Sequence, residues 1–203
     1  MEQNTINKTT SDDEIKAVFE TNVFGQLAVI RAIMPHMRAR KSGVVANIGS
    51  IGGWKGEAGF GAYCATKFAL VGLTQGLREE VAHLGIDVTL IEPGYFRTNL
   101  LSGGARVSAA KVIDDLKPSL DPLRNLVLGI DGQQPGDPVK GAQVIVEALT
   151  GGGRCQGRKL PSRLALGRDA VGYVRGYLEE ERRELEGWAD VVSTTDHDDV
   201  VQH

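Results

Sequence analysis

Cysteine is scarce in this chain, which has only Cys64 and Cys155 among its 203 residues. Two cysteines so far apart in the sequence cannot build a disulfide framework, and their spacing does not match a metal site. We therefore expect no metal site. So few cysteines are typical of a protein in a reducing compartment, which predicts a cytoplasmic location.

Long apolar runs and an excess of basic charge are also missing. No stretch reaches the roughly 20 consecutive apolar residues of a membrane span, and residues 1–10 lack the basic and apolar segments of a signal peptide. The formal net charge is -3. These absences argue against a membrane span and against nucleic acid as a partner.

The phosphate-binding spacing G-x-G-x-x-G does not occur anywhere in the sequence. That spacing lets a backbone loop after a strand approach the pyrophosphate of a dinucleotide. The triple glycine at residues 151–153 does not replace it, because it follows a predicted helix at residues 139–149. A glycine in that position indicates the end of a helix.

A buried strand is predicted at residues 44–48, a mostly apolar and β-branched run bounded by glycines. Ser50 follows at the carboxyl end of this strand. Open α/β sheets bind their ligands at that edge, so the Ser50 hydroxyl is a candidate functional group.

Tyr63 and Lys67 lie four positions apart in a predicted helix at residues 61–84. Their side chains therefore share one helix face, roughly 6 Å apart. A phenol with a pKa of about 10 ionises little near neutral pH, and a nearby ammonium is expected to lower that pKa. The pair predicts a group that exchanges protons, with Ser50 holding a substrate oxygen beside the phenol.

The same helix repeats small and apolar residues at the spacing of one packed face. We expect burial of Ala65, Phe68, Ala69, Gly72, Leu73, Gly76 and Leu77. Taken alone, each polar motif also has an ordinary interpretation: a Y-x-x-x-K pair occurs on solvated helix faces, and Pro93-Gly94 occurs in turns.

Four segments, in this order along the chain, resemble the short-chain dehydrogenase/reductase family. Residues 21–25, T-N-V-F-G, resemble the helix with the family's catalytic asparagine, here Asn22. Ser50 lies 13 residues before Tyr63, and Y-C-A-T-K at residues 63–67 resembles the active-site signature. Residues 93–98, P-G-Y-F-R-T, resemble the loop on the nicotinamide side of the family's site.

The resemblance implies an NAD(P)-dependent oxidoreductase that interconverts an alcohol and a carbonyl. It assigns Tyr63 as general acid and base, Lys67 as the group that lowers its pKa and binds the nicotinamide ribose, and Ser50 as the group that orients the substrate oxygen. Asn22 would complete a water-linked proton path from a distorted stretch of helix. The implied cofactor-binding residues are Tyr63, Lys67, Pro93, Gly94, Phe96 and Thr98, and the sequence leaves NAD or NADP open.

The implied fold class is α/β, a Rossmann-like doubly wound parallel sheet, of which the chain supplies only the later part with about three strands and flanking helices. The remaining predicted elements are a helix at 11–40, a strand at 86–91 and a last helix at 170–188.

We interpret 1–10 as a disordered lead-in, 11–192 as the later two-thirds of the family's domain with a substrate lid at 99–138, and 193–203 as a disordered tail. The family's first strand and glycine-rich turn are absent, which predicts a truncated chain.

Apolar residues within 100–130 predict a lipophilic, mid-sized substrate, such as a steroid-like, retinoid-like or polyketide-like alcohol or ketone. The segment 161–170, P-x-R-L-x-L-G-x-D-A, resembles family members that act on such compounds. A complete domain is expected to form a homo-oligomer. The alternative is a non-catalytic binding or scaffold subunit that docks through the helices at 11–40 and 61–84.

Overall fold

A computed structural model describes residues 11–101 and 113–197, and these residues form a sheet of three parallel strands with helices packed against it. The strands are β1 (Gly43–Ile48), β2 (Ile86–Pro93) and β3 (Arg163–Leu166). They lie in the order β1-β2-β3. The predicted fold class, a Rossmann-like parallel sheet with about three strands and flanking helices, is confirmed.

The first helical segment contains a change of helical pitch. It begins with α1 (Asp12–Phe19), passes through a π-helical turn (Glu20–Phe24) and continues as α2 (Gly25–Arg40). A capping box at Ser11 starts it, because the Ser11 hydroxyl accepts the Glu14 N–H and the Glu14 carboxylate accepts the Ser11 N–H. The predicted extent of this helix is confirmed, and the π turn is the distortion that the family resemblance implies around Asn22.

The segment Asp12–Arg40 is also long and apolar enough, by length and composition alone, to cross a membrane. That test is weaker than the run of roughly 20 consecutive apolar residues considered above, and one such helix is weak evidence for a membrane span. A core helix of a soluble protein passes the same test. Here the segment places the Asn22 side chain against α3, so it contributes to the site described below.

The central helix α3 (Gly61–Val81) follows the predicted course and ends in a 3-10 turn (Ala82–Leu84). Its buried face is not the predicted one. Phe68 and Leu73 are 42% and 38% exposed, while Thr66 and Thr74 are fully buried. The buried face carries threonines because the Thr66 hydroxyl accepts from Asn22 and the Thr74 hydroxyl accepts from Asn47. A pattern of apolar residues does not reveal such positions.

Three further helices follow: α4 (Lys117–Gly129), α5 (Pro138–Thr150) and α6 (Arg168–Val192). Of the predicted lid at 99–138, residues 102–112 lie outside the described residues, and α4 lies in the part that follows. The predicted tail at 193–203 is wrong at its start, because Ser193–Thr195 form a 3-10 turn that continues α6. The predicted lead-in at 1–10 and residues 198–203 lie outside the described residues.

The core lies between β1, β2 and the helices α2 and α3. Its buried centre is Val45, Val81, Ile86 and Val88. Burying each such side chain stabilises the fold by roughly 1.5 to 3 kcal/mol. Side chains packed around this centre are Ile30, Ile33, Met34, Met37, Leu77 and Leu84. This packing fixes α3 against the sheet, and the residues that follow β1 and β2 lie at one edge.

Candidate active site

Ser50 and Tyr63 meet at the carboxyl end of β1, as the sequence predicts. The Ser50 hydroxyl accepts the Gly52 N–H at 3.1 Å, which caps a 3-10 turn at Ile51–Gly53. A Cβ on Gly52 would lie 3.3 Å from Cε1 of Tyr63, so the turn packs closely on the tyrosine ring. In this arrangement the Ser50 side chain forms a hydrogen bond with the Tyr63 phenol.

The ionisation of Tyr63 differs from the sequence-based expectation. Although the side chain is 37% exposed as a whole, burial is the largest influence on its phenol and raises the pKa, and the hydrogen bond from Ser50 opposes this rise. The net direction is upward. The expected lowering of this pKa by Lys67 is therefore wrong for this structure.

The position of Lys67 explains the difference. Its Nζ lies 5.6 Å from the centroid of the Tyr63 ring and donates to the Ile48 carbonyl at 3.1 Å. The side chain is only 8% exposed, and burial lowers the pKa of its ammonium. Lys67 is thus a buried cation beside the phenol ring and is held by the last residue of β1.

Asn22 joins the site from the π turn. Its Nδ2 donates to the Thr66 hydroxyl at 3.1 Å, and that hydroxyl donates to the Tyr63 carbonyl at 2.7 Å. The backbone carbonyl of Asn22 accepts from Nε2 of Gln26 at 3.0 Å. Thr66 and Gln26 were not predicted, although both stand within four positions of a predicted site residue.

The loop after β2 carries the remaining predicted residues. Pro93 ends the strand, and Gly94 N–H donates to the Leu166 carbonyl at 2.9 Å. The next N–H, that of Tyr95, donates to Oδ2 of Asp169 at 2.6 Å. A Cβ on Gly94 would lie only 2.3 Å from the same Oδ2, so this approach of Asp169 requires glycine.

The structure separates the predicted cofactor residues of this loop into different environments. The Phe96 ring packs against Gly136 and Gly141, where an added Cβ would lie 2.8 and 2.5 Å from ring carbons. Phe96 therefore has a packing role. Thr98 is exposed, and its hydroxyl accepts the Leu100 N–H at 3.4 Å. Tyr95, which was not predicted, is close enough to Tyr63 and Glu57 for their charges to affect its pKa, although burial is the largest cause of its rise.

A buried ion pair supports the Ser50 turn from behind. Glu92 is fully buried, and its carboxylate accepts from Nε of Arg163 at 3.0 Å and from Nε1 of Trp54 at 3.0 Å. Arg163 also donates to the Gly53 carbonyl at 3.1 Å. Its guanidinium lies 3.3 Å from the Trp54 ring centroid. The cluster joins β2, β3 and the turn that places Ser50, and the sequence motifs alone did not reveal it.

The loop between this turn and α3 is anchored to α6. Tyr173 donates its hydroxyl to Glu57 at 2.7 Å, and Lys55 pairs with Glu180 at 2.6 Å. Burial, followed by the bond to Glu57, raises the pKa of the Tyr173 phenol. Among residues 11–101 and 113–197, no group of three or more His, Cys, Asp or Glu side chains could hold a metal ion.

Comparison with known proteins places the chain in a family. Residues 1–105 match the model of the short chain dehydrogenase family. An oxidoreductase of Botryotinia fuckeliana is 30% identical over 180 residues, which cover 88% of this chain and 62% of the relative. An uncharacterised oxidoreductase of Schizosaccharomyces pombe is 37% identical over 145 residues, which cover 70% of this chain and 59% of the relative.

A solved structure agrees with the sequence matches. The crystal structure of a short-chain dehydrogenase from Streptomyces avermitilis superposes with a TM-score of 0.82 at 44% identity, covering 93% of this chain and 66% of that one. The chain thus spans about three-fifths of the length of the two curated relatives described above. The family model, these relatives and the solved structure all point to one family. The chain belongs to the short-chain dehydrogenase family.

Proposed function

We propose that the protein is an NAD(P)-dependent oxidoreductase that interconverts an alcohol and a carbonyl. The observation that carries the proposal is the Ser50 side chain bonded to the Tyr63 phenol, with the Lys67 ammonium 5.6 Å from the phenol ring. Membership of the short-chain dehydrogenase family supports the same chemistry. The alternative of a non-catalytic subunit has no observation in its favour, because all four predicted catalytic residues belong to one connected site.

The four residues divide the proton half of the reaction among them. The raised pKa keeps the Tyr63 phenol protonated at neutral pH, so it suits donation of a proton to a carbonyl oxygen. Ser50 would hold that oxygen, and Lys67 would stabilise the phenolate left after donation. In the opposite direction an alcohol would return its proton to the phenolate. The nicotinamide cofactor, when bound, supplies or accepts the hydride.

The nicotinamide end of a cofactor fits the residues present. Among the described residues only the Ile48 carbonyl accepts a hydrogen bond from Lys67, so the ammonium retains N–H groups for ribose hydroxyls. The Pro93-Gly94 turn is held beside the site by Asp169, through the N–H of Tyr95. These features support Tyr63, Lys67, Pro93 and Gly94 as nicotinamide-side contacts. They leave the choice between NAD and NADP open.

A lipophilic, mid-sized substrate is the second part of the proposal. Helix α4 and the 3-10 turn before it, in the predicted lid, carry half-buried and buried apolar side chains: Leu116, Leu120, Leu123 and Val127. Leu120 reaches the loop before α3, where a Cβ on Gly59 would lie 3.2 Å from its methyl carbon. An apolar cover over the loop that leads into α3 favours an apolar ketone or alcohol. The same proposal includes a cytoplasmic location and, for the complete domain, a homo-oligomer.

A chimera tests both parts of the proposal. It joins this chain to the part of the Streptomyces avermitilis dehydrogenase that the chain does not cover, and it is assayed with NADH and NADPH against a panel of carbonyls. We expect oxidation of one nucleotide with cyclic or long-chain ketones. Activity confined to small sugars and polar aldehydes would contradict the lipophilic substrate, and inactivity of a folded, nucleotide-binding chimera on the whole panel would count against the oxidoreductase.

A further inference from the structure

One amide, that of Gln26, connects two backbone carbonyls of the site. Its Nε2 donates to the Asn22 carbonyl at 3.0 Å and to the Ile48 carbonyl at 3.3 Å. Lys67 Nζ donates to the same Ile48 oxygen at 3.1 Å. The π turn, the end of β1 and helix α3 therefore meet at one polar contact.

Local backbone geometry creates the need for this amide. Gly49 N–H donates to the Ile91 carbonyl on β2, so the preceding carbonyl, that of Ile48, points to the other side of β1. On that side its partners among the described residues are side chains. The π turn also turns the Asn22 carbonyl toward Gln26. Gln26 gives the Asn22 carbonyl a side-chain donor and gives the Ile48 carbonyl a second donor beside Lys67.

The chemistry of the contact selects glutamine. Two carbonyl oxygens require two donors, and the amide NH2 group supplies two N–H bonds from one nitrogen. A glutamate of the same shape has only acceptors when ionised, so it would repel both oxygens. A methionine of similar length would leave both oxygens without this partner.

We propose that Gln26 is a positioning residue. It fixes the Ile48 carbonyl at the place where its oxygen accepts the hydrogen bond from the Lys67 ammonium, and it connects this carbonyl to the π turn at Asn22. This rests on the proposed function, in which Lys67 serves the proton transfer. Gln26 touches neither the phenol nor the Ser50 hydroxyl in the described contacts, so it acts through the Ile48 oxygen. It is also neutral, which leaves Lys67 without a carboxylate neighbour on this side.

The groups around Lys67 make its pKa a measure of the charge at position 26. On its own helix the titratable groups within one turn are Tyr63 and Cys64, and the Ile48 carbonyl of β1, to which Lys67 donates, also accepts from the Gln26 amide of α2. Burial, with no charged partner, is the cause that lowers the pKa of the ammonium. A carboxylate placed at position 26 would therefore be the first negative charge beside Lys67.

The test compares Gln26→Glu and Gln26→Met with the parent by NMR titration of [ε-13C]lysine, the Lys67 signal being assigned with Lys67→Met. We expect Gln26→Glu to raise the pKa of Lys67 by about 1 or more, which is at least about tenfold in proton affinity. Gln26→Met should shift the titration less, because it only removes a donor that competes for the Ile48 oxygen. Gln75→Glu, at an exposed position of α3, is the matched control and should leave Lys67 unchanged.

Folding of each variant is followed by circular dichroism in the same samples. Titration curves of Lys67 that coincide with the parent's in both folded variants would overturn the proposal. Unfolding of both variants would also overturn it, because position 26 would then support the whole fold instead of one contact. The titration needs neither nucleotide nor substrate, so its failure is separate from any failure of the proposed oxidoreductase activity.

Discussion

Lys67 is the residue at which the proposed function opposes stability most directly. Its side chain is 8% exposed, and burial lowers the pKa of the ammonium below the ordinary value of 10.5. At pH values between the two pKa values the unfolded chain carries more bound protons than the folded chain, so stability rises with pH there. The charged form therefore destabilises the fold at neutral pH, and this penalty disappears once the pH exceeds about 10.5.

Replacing this lysine exposes the penalty. We expect Lys67→Met to gain most stability over the parent at neutral pH. This gain should shrink as the pH rises toward 10.5, because only the parent then loses its buried charge. Urea unfolding at a series of pH values measures this difference. Lys16→Met on the exposed face of α1 is the control for removal of an exposed lysine side chain. A pH-independent difference for Lys67→Met would contradict the account.

Sequence reasoning named the candidate catalytic residues of the site but not the neighbours that bond to them. Asn22, Ser50, Tyr63 and Lys67 carry the family resemblance, and the structure brings them together. Thr66 and Gln26 escaped notice because their role depends on hydrogen bonds to backbone and side-chain atoms distant in sequence. The direction of the Tyr63 pKa also could not be predicted, since burial of a phenol is a property of the packed fold.

At the scale of elements, the Glu92–Arg163 pair joins β2, β3 and the Ser50 turn. The carboxylate of Glu92 is fully buried, and the guanidinium of Arg163 is its charge partner. Arg163→Met should lower the free energy of unfolding by about 3 to 5 kcal/mol, because it leaves an unpaired buried charge. Adding Glu92→Leu should restore much of the loss. Urea unfolding of the single and double variants gives the coupling.

An exposed pair provides the comparison for that experiment. Lys140 and Asp137 are 3.9 Å apart at the start of α5, with the lysine side chain 80% exposed. Lys140→Met should change the free energy of unfolding by about 1 kcal/mol or less. Equal effects of Arg163→Met and Lys140→Met would show that the buried cluster does not hold the Ser50 turn.

The loop after β2 and helix α6 are coupled through Gly94 and Asp169. Gly94→Ala should destabilise the protein, since its Cβ would lie 2.3 Å from the Asp169 carboxylate. The loss should be smaller in an Asp169→Ala background, where that carboxylate is absent, and thermal unfolding of the four proteins measures the non-additivity. Gly172→Ala in α6, where no atom lies within 4 Å of the added Cβ, should be neutral or stabilising. Additive effects of the Gly94 and Asp169 substitutions would contradict the coupling.

Element positions were largely predictable, because strand and helix periodicity is a local property. The predicted strands at 44–48 and 86–91 correspond to Gly43–Ile48 and Ile86–Pro93. The predicted buried face of α3 was wrong, since glycine and leucine spacing suggests packing while Thr66 and Thr74 face the sheet. Strand β3 has only four residues and shows little pattern of its own. Its place is set by pairing with β2.

At the scale of the whole molecule, the chain spans 62% and 59% of two curated relatives and has no G-x-G-x-x-G spacing. The site described above would contact only the nicotinamide end of a dinucleotide. Charge-assisted hydrogen bonds contribute about 1.5 to 3 kcal/mol each, and every 1.4 kcal/mol is about tenfold in affinity. We therefore expect the 203-residue chain alone to show no binding of NADH or NADPH at micromolar concentrations and no turnover. Calorimetric titration measures this, and a micromolar dissociation constant for either nucleotide would refute the expectation.

The most direct test of the account is the turnover number of the Streptomyces chimera after Tyr63→Phe, measured with its best carbonyl substrate. If Tyr63 supplies the proton, kcat should fall at least about a hundredfold while nucleotide binding persists. Tyr177→Phe on α6, whose phenol bonds to Glu181, is the matched control and should retain parental turnover. A kcat for Tyr63→Phe within about threefold of the parent's would contradict the assignment of Tyr63 as the proton donor.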